Sequence, residues 1–155
     1  NINFVSYTLK AEIGVEGATV SDSDDYTGFS IGLDYGFEMD NLKLVAGLSA
    51  DFVDVEGDGE TIITPSVMVS YPISNVIGLK GGFALPTWDV EDGDGIKASL
   101  LHLPLGLDYS LSEKISLSAQ YSIALGNRFE GDVDFSSDEL KFTDNNLRFG
   151  VHFNF

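Results

Sequence analysis

The chain closes with "NLRFGVHFNF", residues 146–155, and this run alternates strictly between two kinds of side chain. One series is apolar and consists of Leu147, Phe149, Val151, Phe153 and Phe155. The other series consists of Arg148, Gly150, His152 and Asn154. A period of two residues predicts a β-strand, because successive side chains of a strand point to opposite faces. The run therefore predicts a final strand that separates an apolar environment from a polar one and ends on an aromatic residue.

Length and composition limit what the whole chain can be. Its 155 residues are typical of a single domain, and we expect one domain over residues 1–155. Hydrophobic residues make up 43%, which favours a packed protein over an acidic disordered chain. The net charge of −17 argues against nucleic acid as a partner, and the lack of cysteine excludes disulfides and thiolate metal sites. The sequence starts at Asn1 instead of a methionine, so we expect a removed signal peptide or a trimmed chain.

The same alternation recurs along the chain, and no helical period is present. Eight runs show it: 3–13, 26–38, 42–54, 61–72, 76–88, 97–110, 115–128 and 146–155. Short connections at 39–41, 73–75 and 111–114 alternate with mostly longer ones, rich in Asp, Glu, Gly and Ser, at 14–25, 55–60, 89–96 and 129–145. Strands joined by successive turns predict an up-and-down meander, in which an even strand number places all short turns on one rim and all long loops on the other.

The distribution of glycine decides which face of these strands points inward. Only Gly81 lies in an apolar series, whereas the polar series contain Gly14, Gly32, Gly36, Gly47, Gly78, Gly82, Gly106, Gly126 and Gly150. Small residues fit the narrow lumen that eight strands enclose. If the apolar face pointed inward, as in a soluble lipocalin-like barrel, about five large apolar residues per strand would overfill that lumen. We therefore predict that the apolar face points outward into lipid. In the first run this assignment places Val5 and Tyr7 outside and Lys10 and Glu12 inside.

Strand length and aromatic residues support a membrane barrel. Each run supplies about the 9–11 residues that a tilted membrane strand needs. Aromatic residues gather toward the short turns (Tyr7, Tyr35, Phe37, Tyr71, Tyr109, Phe153, Phe155) and toward the long loops (Phe29, Phe52, Phe83, Trp88). Two such groups predict the aromatic girdles that flank a hydrocarbon band.

Two segments resemble those of small Gram-negative outer-membrane barrels of the OmpA/OmpX or opacity-protein type. "GLDYSLSEKISLSAQY" (106–121) is similar to their periplasmic hairpins, and "FGVHFNF" (149–155) to the C-terminal signal that the barrel-assembly machinery recognises. The resemblance implies an eight-stranded antiparallel up-and-down transmembrane β-barrel in the bacterial outer membrane, with short periplasmic turns and longer acidic extracellular loops. It also implies an assembly signal made of Phe149, Val151, Phe153 and Phe155. We expect no cofactor, and we expect a monomer.

The predicted inward face carries as many positive as negative residues: Lys10, Lys43, Lys80 and Arg148 against Glu12, Asp34, Asp51 and Asp108. An isolated charge in a narrow lumen is costly, so we expect these residues to form a lumen charge network. Hairpin geometry predicts two of its pairs, Asp34–Lys43 and Lys80–Asp108. Closure of the last strand on the first predicts a third, Arg148–Glu12. Such pairs either plug the lumen or exchange partners in a gated ion path.

Most of the 25 acidic residues lie in or beside the predicted long loops, in strings such as "DVEGDGE" (54–60) and "EGDVDFSSDE" (130–139). Asp54, Glu56 and Asp58 resemble the start of a calcium loop, but Pro65 stands where an EF-hand needs a glutamate. We therefore predict no specific metal site. We expect outer-membrane lipid and lipopolysaccharide as partners, bridged to this rim by divalent cations or bound through Lys97, Arg128 and Lys141.

His102 and His152 are the candidates for catalysis, and both belong to the predicted inward face. A Ser-His-Asp arrangement needs a serine and a carboxylate that converge on one histidine, and no spaced motif selects such a pair. We expect a structural or surface-interaction barrel that is not an enzyme, with a narrow ion or small-solute channel as the alternative and a lipid-modifying enzyme third. The segment "SLLHLPLG" (99–106) predicts a bulge or register slip, because Pro104 cannot donate to the strand ladder.

Overall fold

The computed structural model describes residues 1–15, 18–55, 58–90, 96–130 and 140–154. Their backbone forms nine strand segments: β1 (Ile2–Val15), β2 (Ala18–Met39), β3 (Leu42–Val55), β4 (Asp58–Pro72), β5 (Ile77–Ala84), β6 (Thr87–Val90), β7 (Ile96–Ser110), β8 (Ile115–Glu130) and β9 (Leu140–Phe153). No helix in this described part of the chain is long and apolar enough to cross a membrane.

The strands pair antiparallel with their neighbours in sequence, and the sheet closes on itself. Closure comes from β1 and β9, which pair from Ile2 opposite Val151 to Ile13 opposite Leu140. β5 and β6 together make one barrel strand, because both lie between β4 and β7 and only residues 85–86 separate them. The described residues therefore form a closed, eight-stranded, antiparallel up-and-down barrel, as the sequence predicts.

Three short turns join strands at one end of the barrel, which we call the turn rim, and all three are at the predicted positions. The two-residue turn at 40–41 joins β2 to β3, and its Asp40 has a φ of 51°. Asp tolerates this left-handed conformation, which the favoured hairpin turns require. The other two turns share one local pattern. The hydroxyl of Ser74 accepts a hydrogen bond from the amide of Ile77 at 3.1 Å, and that of Ser112 accepts one from Ile115 at 3.1 Å.

At the opposite end, the loop rim, the strands run further than the sequence predicts. β1 pairs with β2 up to Val15 opposite Ala18, so most of the predicted loop 14–25 is strand. β9 begins at Leu140, inside the predicted loop 129–145. The prediction of long irregular connections is therefore wrong over these residues. A ladder satisfies the backbone N–H and C=O groups whatever the side chains are, so strands continue through polar segments.

The irregularity predicted in "SLLHLPLG" is confirmed. Along β7, Leu101 pairs with Gly126. The next residue, His102, pairs with Ala124, so β8 carries one extra residue at this point. Pro104, two residues further along β7, is fully buried. A bulge re-aims the side chains beside it, and here the adjacent His102 is completely buried in the lumen.

The barrel wall is apolar outside and polar inside. Large apolar side chains are exposed along every barrel strand, and Leu33 on β2 reaches 82% exposure. The buried polar side chains are Asn3, Ser30, Asp51, Thr64, Lys80, His102, Ser116, Ser118, Ser122, Asp144, Asn146 and Arg148. This distribution is the reverse of that in a soluble barrel, and hydrocarbon is the medium that suits such an outer band. The predicted outward orientation of the apolar face is confirmed for the strands from β2 onward.

Aromatic side chains mark both edges of the outer band. Exposed at the turn rim are Tyr35, Phe37, Tyr71, Tyr109 and Phe153, and exposed toward the loop rim are Phe4, Phe29, Phe52 and Phe83. The rings of Phe29 and Phe52 stack with their centroids 5.0 Å apart. Along β2 the two edges, Phe29 and Phe37, enclose a stretch of about nine residues, the length that a tilted strand needs to cross hydrocarbon. The side chains of Trp88 and Phe155 lie outside the described residues.

The first strand is the exception, and its predicted faces are reversed. Val5 and Tyr7 are buried in the lumen, whereas Phe4 is 55% exposed. Phe4 lies opposite Phe149, and residues that oppose each other in a ladder share a face. Lys10 is therefore on the outer face, where its side chain is exposed, and its predicted lumen position is wrong. Tyr7 for the same reason does not belong to the aromatic girdle.

Inward glycines make room for long polar side chains of neighbouring strands. A Cβ atom on Gly106 would lie 3.0 Å from Cε of Lys80, and one on Gly150 would overlap the side-chain amide of Asn3. The glycine-rich face therefore points inward, where the absence of side chains leaves space for the polar side chains of neighbouring strands.

Candidate functional site in the barrel lumen

The lumen contains four layers between the turn rim and the loop rim. An open vestibule of about 900 Å³ occupies the turn rim. A cavity of about 50 Å³ follows, with polar and charged side chains in its wall. Next comes a buried polar network centred on Arg148. The last layer includes an apolar cap formed by Val5, Tyr7, Val53 and Ile62, against which Tyr26 packs, and it also contains the buried carboxyl group of Asp144.

Arg148 on β9 holds the network together. Its guanidinium forms a two-pronged ion pair with Asp51 on β3, with Nη2–Oδ2 at 2.5 Å and Nη1–Oδ1 at 3.2 Å. It also donates to the hydroxyls of Tyr7 at 3.0 Å and Ser49 at 3.2 Å. The Tyr7 hydroxyl in turn donates to Asp51. Such a bidentate pair with further hydrogen bonds is what a buried carboxylate requires.

A second branch of the network reaches His102 on β7, which lies next to the bulge in β8. Nε of Arg148 donates to Oδ1 of Asn146 at 3.4 Å, and the Asn146 amide donates to Nδ1 of His102 at 3.2 Å. Nε2 of His102 lies 3.6 Å from Oδ2 of Asp144, which is longer than a hydrogen bond. Asp144 is 1% exposed, and neither of its carboxylate oxygens has a hydrogen-bond partner among the residues that the structure describes. Asp144 is therefore a buried carboxylate that no hydrogen bond within the described residues stabilises.

Sequence reasoning missed Asp144, because it assigned residues 129–145 to a loop. The extension of β9 toward the loop rim carries Asp144 into the barrel. A signal was present: the inward series that contains Arg148 continues backward through Asn146 to Asp144 at the same two-residue spacing.

Lys80 and Asp108 form an ion pair nearer the turn rim. Nζ of Lys80 lies 2.7 Å from Oδ1 of Asp108, and Lys80 is 6% exposed. Lys80 opposes Gly106 and Asp108 opposes Gly78, so the contact is diagonal between β5 and β7. This is the neighbour that hairpin geometry predicts for Lys80.

The predicted Asp34–Lys43 pair is wrong because of the hairpin register. Asp34 opposes Gly47, four positions from Lys43, and Lys43 opposes Glu38. Asp34 instead accepts a hydrogen bond from the side-chain amide of Asn1 at 2.5 Å.

The predicted Arg148–Glu12 pair is wrong for a similar reason. Arg148 opposes Val5, whereas Glu12 opposes Lys141, seven positions further along the same two strands. Glu12 also shares the outward backbone face with Lys10, and its side chain lies outside the described residues. The inward partner of Arg148 is Asp51, which the sequence places in the lumen but does not pair with it.

A third cluster lies where the vestibule meets the cavity. Oγ of Ser118 is 2.9 Å from Nε2 of His152, and Nδ1 of His152 is 3.6 Å from Oδ2 of Asp34. His152 and Asp34 line both spaces, and Ser118 lines the cavity. A carboxylate beside Nδ1 favours the tautomer that carries its proton there, which leaves Nε2 to accept from the serine hydroxyl. The sequence places His152 inside but does not select these two partners.

The comparisons with known proteins agree with this architecture. No protein-family model matches the chain, and no curated protein matches it in sequence. The crystal structure of Neisserial surface protein A (NspA) matches with a TM-score of 0.51 and 14% identity, over 99% of this chain and 97% of that one. Ail, the attachment invasion locus protein of Yersinia pestis, matches with a TM-score of 0.52 and 13% identity, over 99% and 98%. The fold is that of a small bacterial outer-membrane barrel.

The residues of the predicted assembly signal lie on the outer face of the last strand of this outer-membrane barrel. Phe149 and Phe153 are 50% and 45% exposed, and Val151 between them is half-buried. Phe155 lies outside the described residues. Recognition of this strand by the assembly machinery stays a prediction.

The predicted cation and lipopolysaccharide contacts fall largely on parts of the chain that the structure does not describe. Glu56 and the side chain of Asp58 lie outside the described residues, and so do the side chains of Lys97, Arg128 and Lys141. Among the residues that are described, no three His, Asp or Glu side chains are grouped so as to hold a metal ion.

We expect Asp144→Asn to stabilise the barrel by about 1–3 kcal/mol at neutral pH, because it removes a buried carboxyl group that has no hydrogen-bond partner among the described residues. Asp108→Asn makes the same chemical change but should destabilise the barrel, because it leaves the ammonium of Lys80 unpaired. The free energy of unfolding in urea, measured for both variants in the same lipid vesicles, checks the two signs. Destabilisation by both substitutions would show that Asp144 is as well compensated as Asp108.

Proposed function

We propose that this protein is an integral outer-membrane barrel with a structural or surface-interaction role and a lumen closed to ions. The observation that carries the proposal is the Arg148–Asp51 ion pair, which joins strands three positions apart around the barrel. A small barrel whose interior is crossed by such a pair is a plug and not a pore. The proposed role requires no enzymatic activity.

The size of the internal space supports a closed lumen. The cavity beside Arg148 measures about 50 Å³, enough for only one or a few water molecules. On the loop side the side chains of Val5, Tyr7, Val53 and Ile62 are buried against one another, and this apolar cap fills part of the lumen beside the Arg148–Asp51 pair. The vestibule is open, but it leads to these two barriers.

We further propose that the turn rim faces the periplasm and that the acidic loop rim faces outward, the usual asymmetry of such barrels. The outer rim then contacts lipopolysaccharide, with divalent cations between the two anionic surfaces, and the last strand is the segment that the assembly machinery binds. The surface role is carried over from the likeness to NspA, a surface protein, and Ail, an attachment invasion locus protein. We propose a monomer, because a closed sheet has no strand edge to pair with a second copy.

Single-channel recording in planar bilayers tests the closed lumen. The unmodified protein should give no conductance steps above those of lipid alone. The variant Tyr7→Ala/Asp51→Ser/Arg148→Ser removes members of the network and the cap, and it should conduct. Regular steps from the unmodified protein that change with Arg148→Met would overturn the proposal in favour of a gated ion path.

A further inference from the structure

We propose that the junction of the vestibule and the small cavity is also a hydrolytic site, at which Ser118, His152 and Asp34 cleave small acyl esters entering from the turn rim. The site lies on the turn-rim side of the Arg148 network, so it is independent of whether the lumen conducts. This inference goes beyond the structural role, because nothing in that role uses these three side chains.

In this arrangement Ser118 is the nucleophile, His152 is the base that contacts it, and Asp34 is the carboxylate that orients the base. Ser118 Oγ is within hydrogen-bond distance of His152 Nε2, at 2.9 Å. The distance of 3.6 Å from His152 Nδ1 to Asp34 is longer than a hydrogen bond, as is common in catalytic sites without substrate. The amide of Asn1, 2.5 Å from the same carboxylate oxygen, holds Asp34 in place. Three strands of a closed barrel fix these positions, so no induced assembly is needed.

A cationic side chain, Lys80, lines the same cavity as the nucleophile. Asp108 opposes Ser118 directly in the ladder of β7 and β8, and it holds the ammonium of Lys80 at 2.7 Å. Lys80 lines the same cavity as Ser118 and His152. Backbone N–H groups of these strands are engaged in the ladder, so a side-chain cation has to stabilise the oxyanion of an ester transition state.

The sizes of the two spaces define the substrate class. The cavity of about 50 Å³ on which Ser118 opens admits only a short acyl group, of about the size of acetyl. The vestibule of about 900 Å³ accommodates the alcohol part of the ester. Its wall carries charges of both signs, including Lys43, Glu38 and Glu113, which favours a polar alcohol over a lipid chain.

The reaction needs only substrate and water. Ser118 Oγ attacks the ester carbonyl carbon while its proton passes to His152 Nε2, and the oxyanion forms beside Lys80. The C–O bond to the alcohol breaks, and the alcohol leaves with the proton from Nε2. Water then attacks the acyl-serine, again giving its proton to Nε2. The acyl group departs as the carboxylic acid, and Ser118 recovers its hydrogen.

Labelling of the refolded protein with a small fluorophosphonate tests the site, with the modified residue mapped by mass spectrometry. We expect one adduct, on Ser118, together with hydrolysis of p-nitrophenyl acetate above the rate in empty detergent micelles. Ser118→Ala and His152→Gln should lower that hydrolysis by about 10²-fold or more. Asp34→Asn should lower kcat more than it changes KM, since Asp34 acts as a positioning residue through His152.

Ser122→Ala is the matched control. Ser122 is buried on the same strand and face, but its hydroxyl accepts a hydrogen bond from Gln120 at 3.3 Å and forms none with a histidine among the described residues. This variant should keep both the label and the hydrolysis rate. Mapping on the unmodified protein needs no variant to fold, so a label absent from Ser118, or hydrolysis unchanged in Ser118→Ala, overturns the proposal.

Discussion

Arg148→Met is expected to destabilise the folded barrel by about 3–5 kcal/mol. Methionine retains a long side chain but removes the guanidinium, and it leaves the completely buried carboxylate of Asp51 without its cation. The hydroxyl of Tyr7 also loses a donor. The free energy of unfolding in urea, measured in lipid vesicles at neutral pH, gives the value directly.

Two further variants separate loss of the ion pair from loss of packing. Asp51→Leu combined with Arg148→Met replaces the pair with apolar side chains and should recover most of the lost stability, because the buried charge is gone. Lys80→Met should have a smaller effect than Arg148→Met, since its partner Asp108 is 27% exposed and water can solvate it. An effect of Arg148→Met below about 1 kcal/mol would mean that Asp51 is hydrated, and it would contradict the closed lumen.

The strand number, the short turns and most of the faces are predictable from the sequence because each depends on neighbouring residues. Alternation with period two is local, and so is the Ser turn that recurs at 74–77 and 112–115. The slip beside His102 is also predictable from nearby residues, because Pro104 disturbs the strand pattern within a few positions. These features require no knowledge of which distant strand lies opposite.

The first strand shows where local reasoning fails. Both of its series begin with large apolar residues, Ile2 and Phe4 in one and Val5 and Tyr7 in the other. Periodicity therefore identifies a strand but does not choose its inner face. The choice depends on closure against β9, where Phe4 meets Phe149 across the ladder.

The candidate sites depend on contacts that no local pattern encodes. Arg148 and Asp51 are 97 residues apart, and their contact depends on barrel closure through β1 and β9 and on the registers of β1 with β2 and of β2 with β3. Ser118 and His152 are 34 residues apart in sequence. The third residue, Asp34, lies on β2, on the other side of the β1–β9 pairing that closes the barrel. The sequence places most of these side chains inside the barrel, but only the relative shift of the strands selects which of them touch.

Leu33→Arg is expected to destabilise the barrel by about 2–4 kcal/mol in lipid vesicles, the effect of a cation near the middle of the hydrocarbon. Leu33 lies midway between Phe29 and Phe37 on β2, and its side chain is 82% exposed, so the substitution creates no steric overlap inside the protein. The destabilisation comes only from the medium outside the wall. Urea unfolding in vesicles of defined thickness measures it.

Thr27→Arg is the matched control, because Thr27 is exposed on the same face of the same strand but lies beyond Phe29, toward the loop rim. A cation there reaches water or lipid headgroups, so the effect should stay within about 0–1 kcal/mol. The contrast between the two positions locates the hydrocarbon boundary at Phe29, independently of any lumen contact. Effects within about 0–1 kcal/mol at both positions would mean that water covers the whole outer wall, and the membrane orientation on which the lumen sites depend would then be wrong.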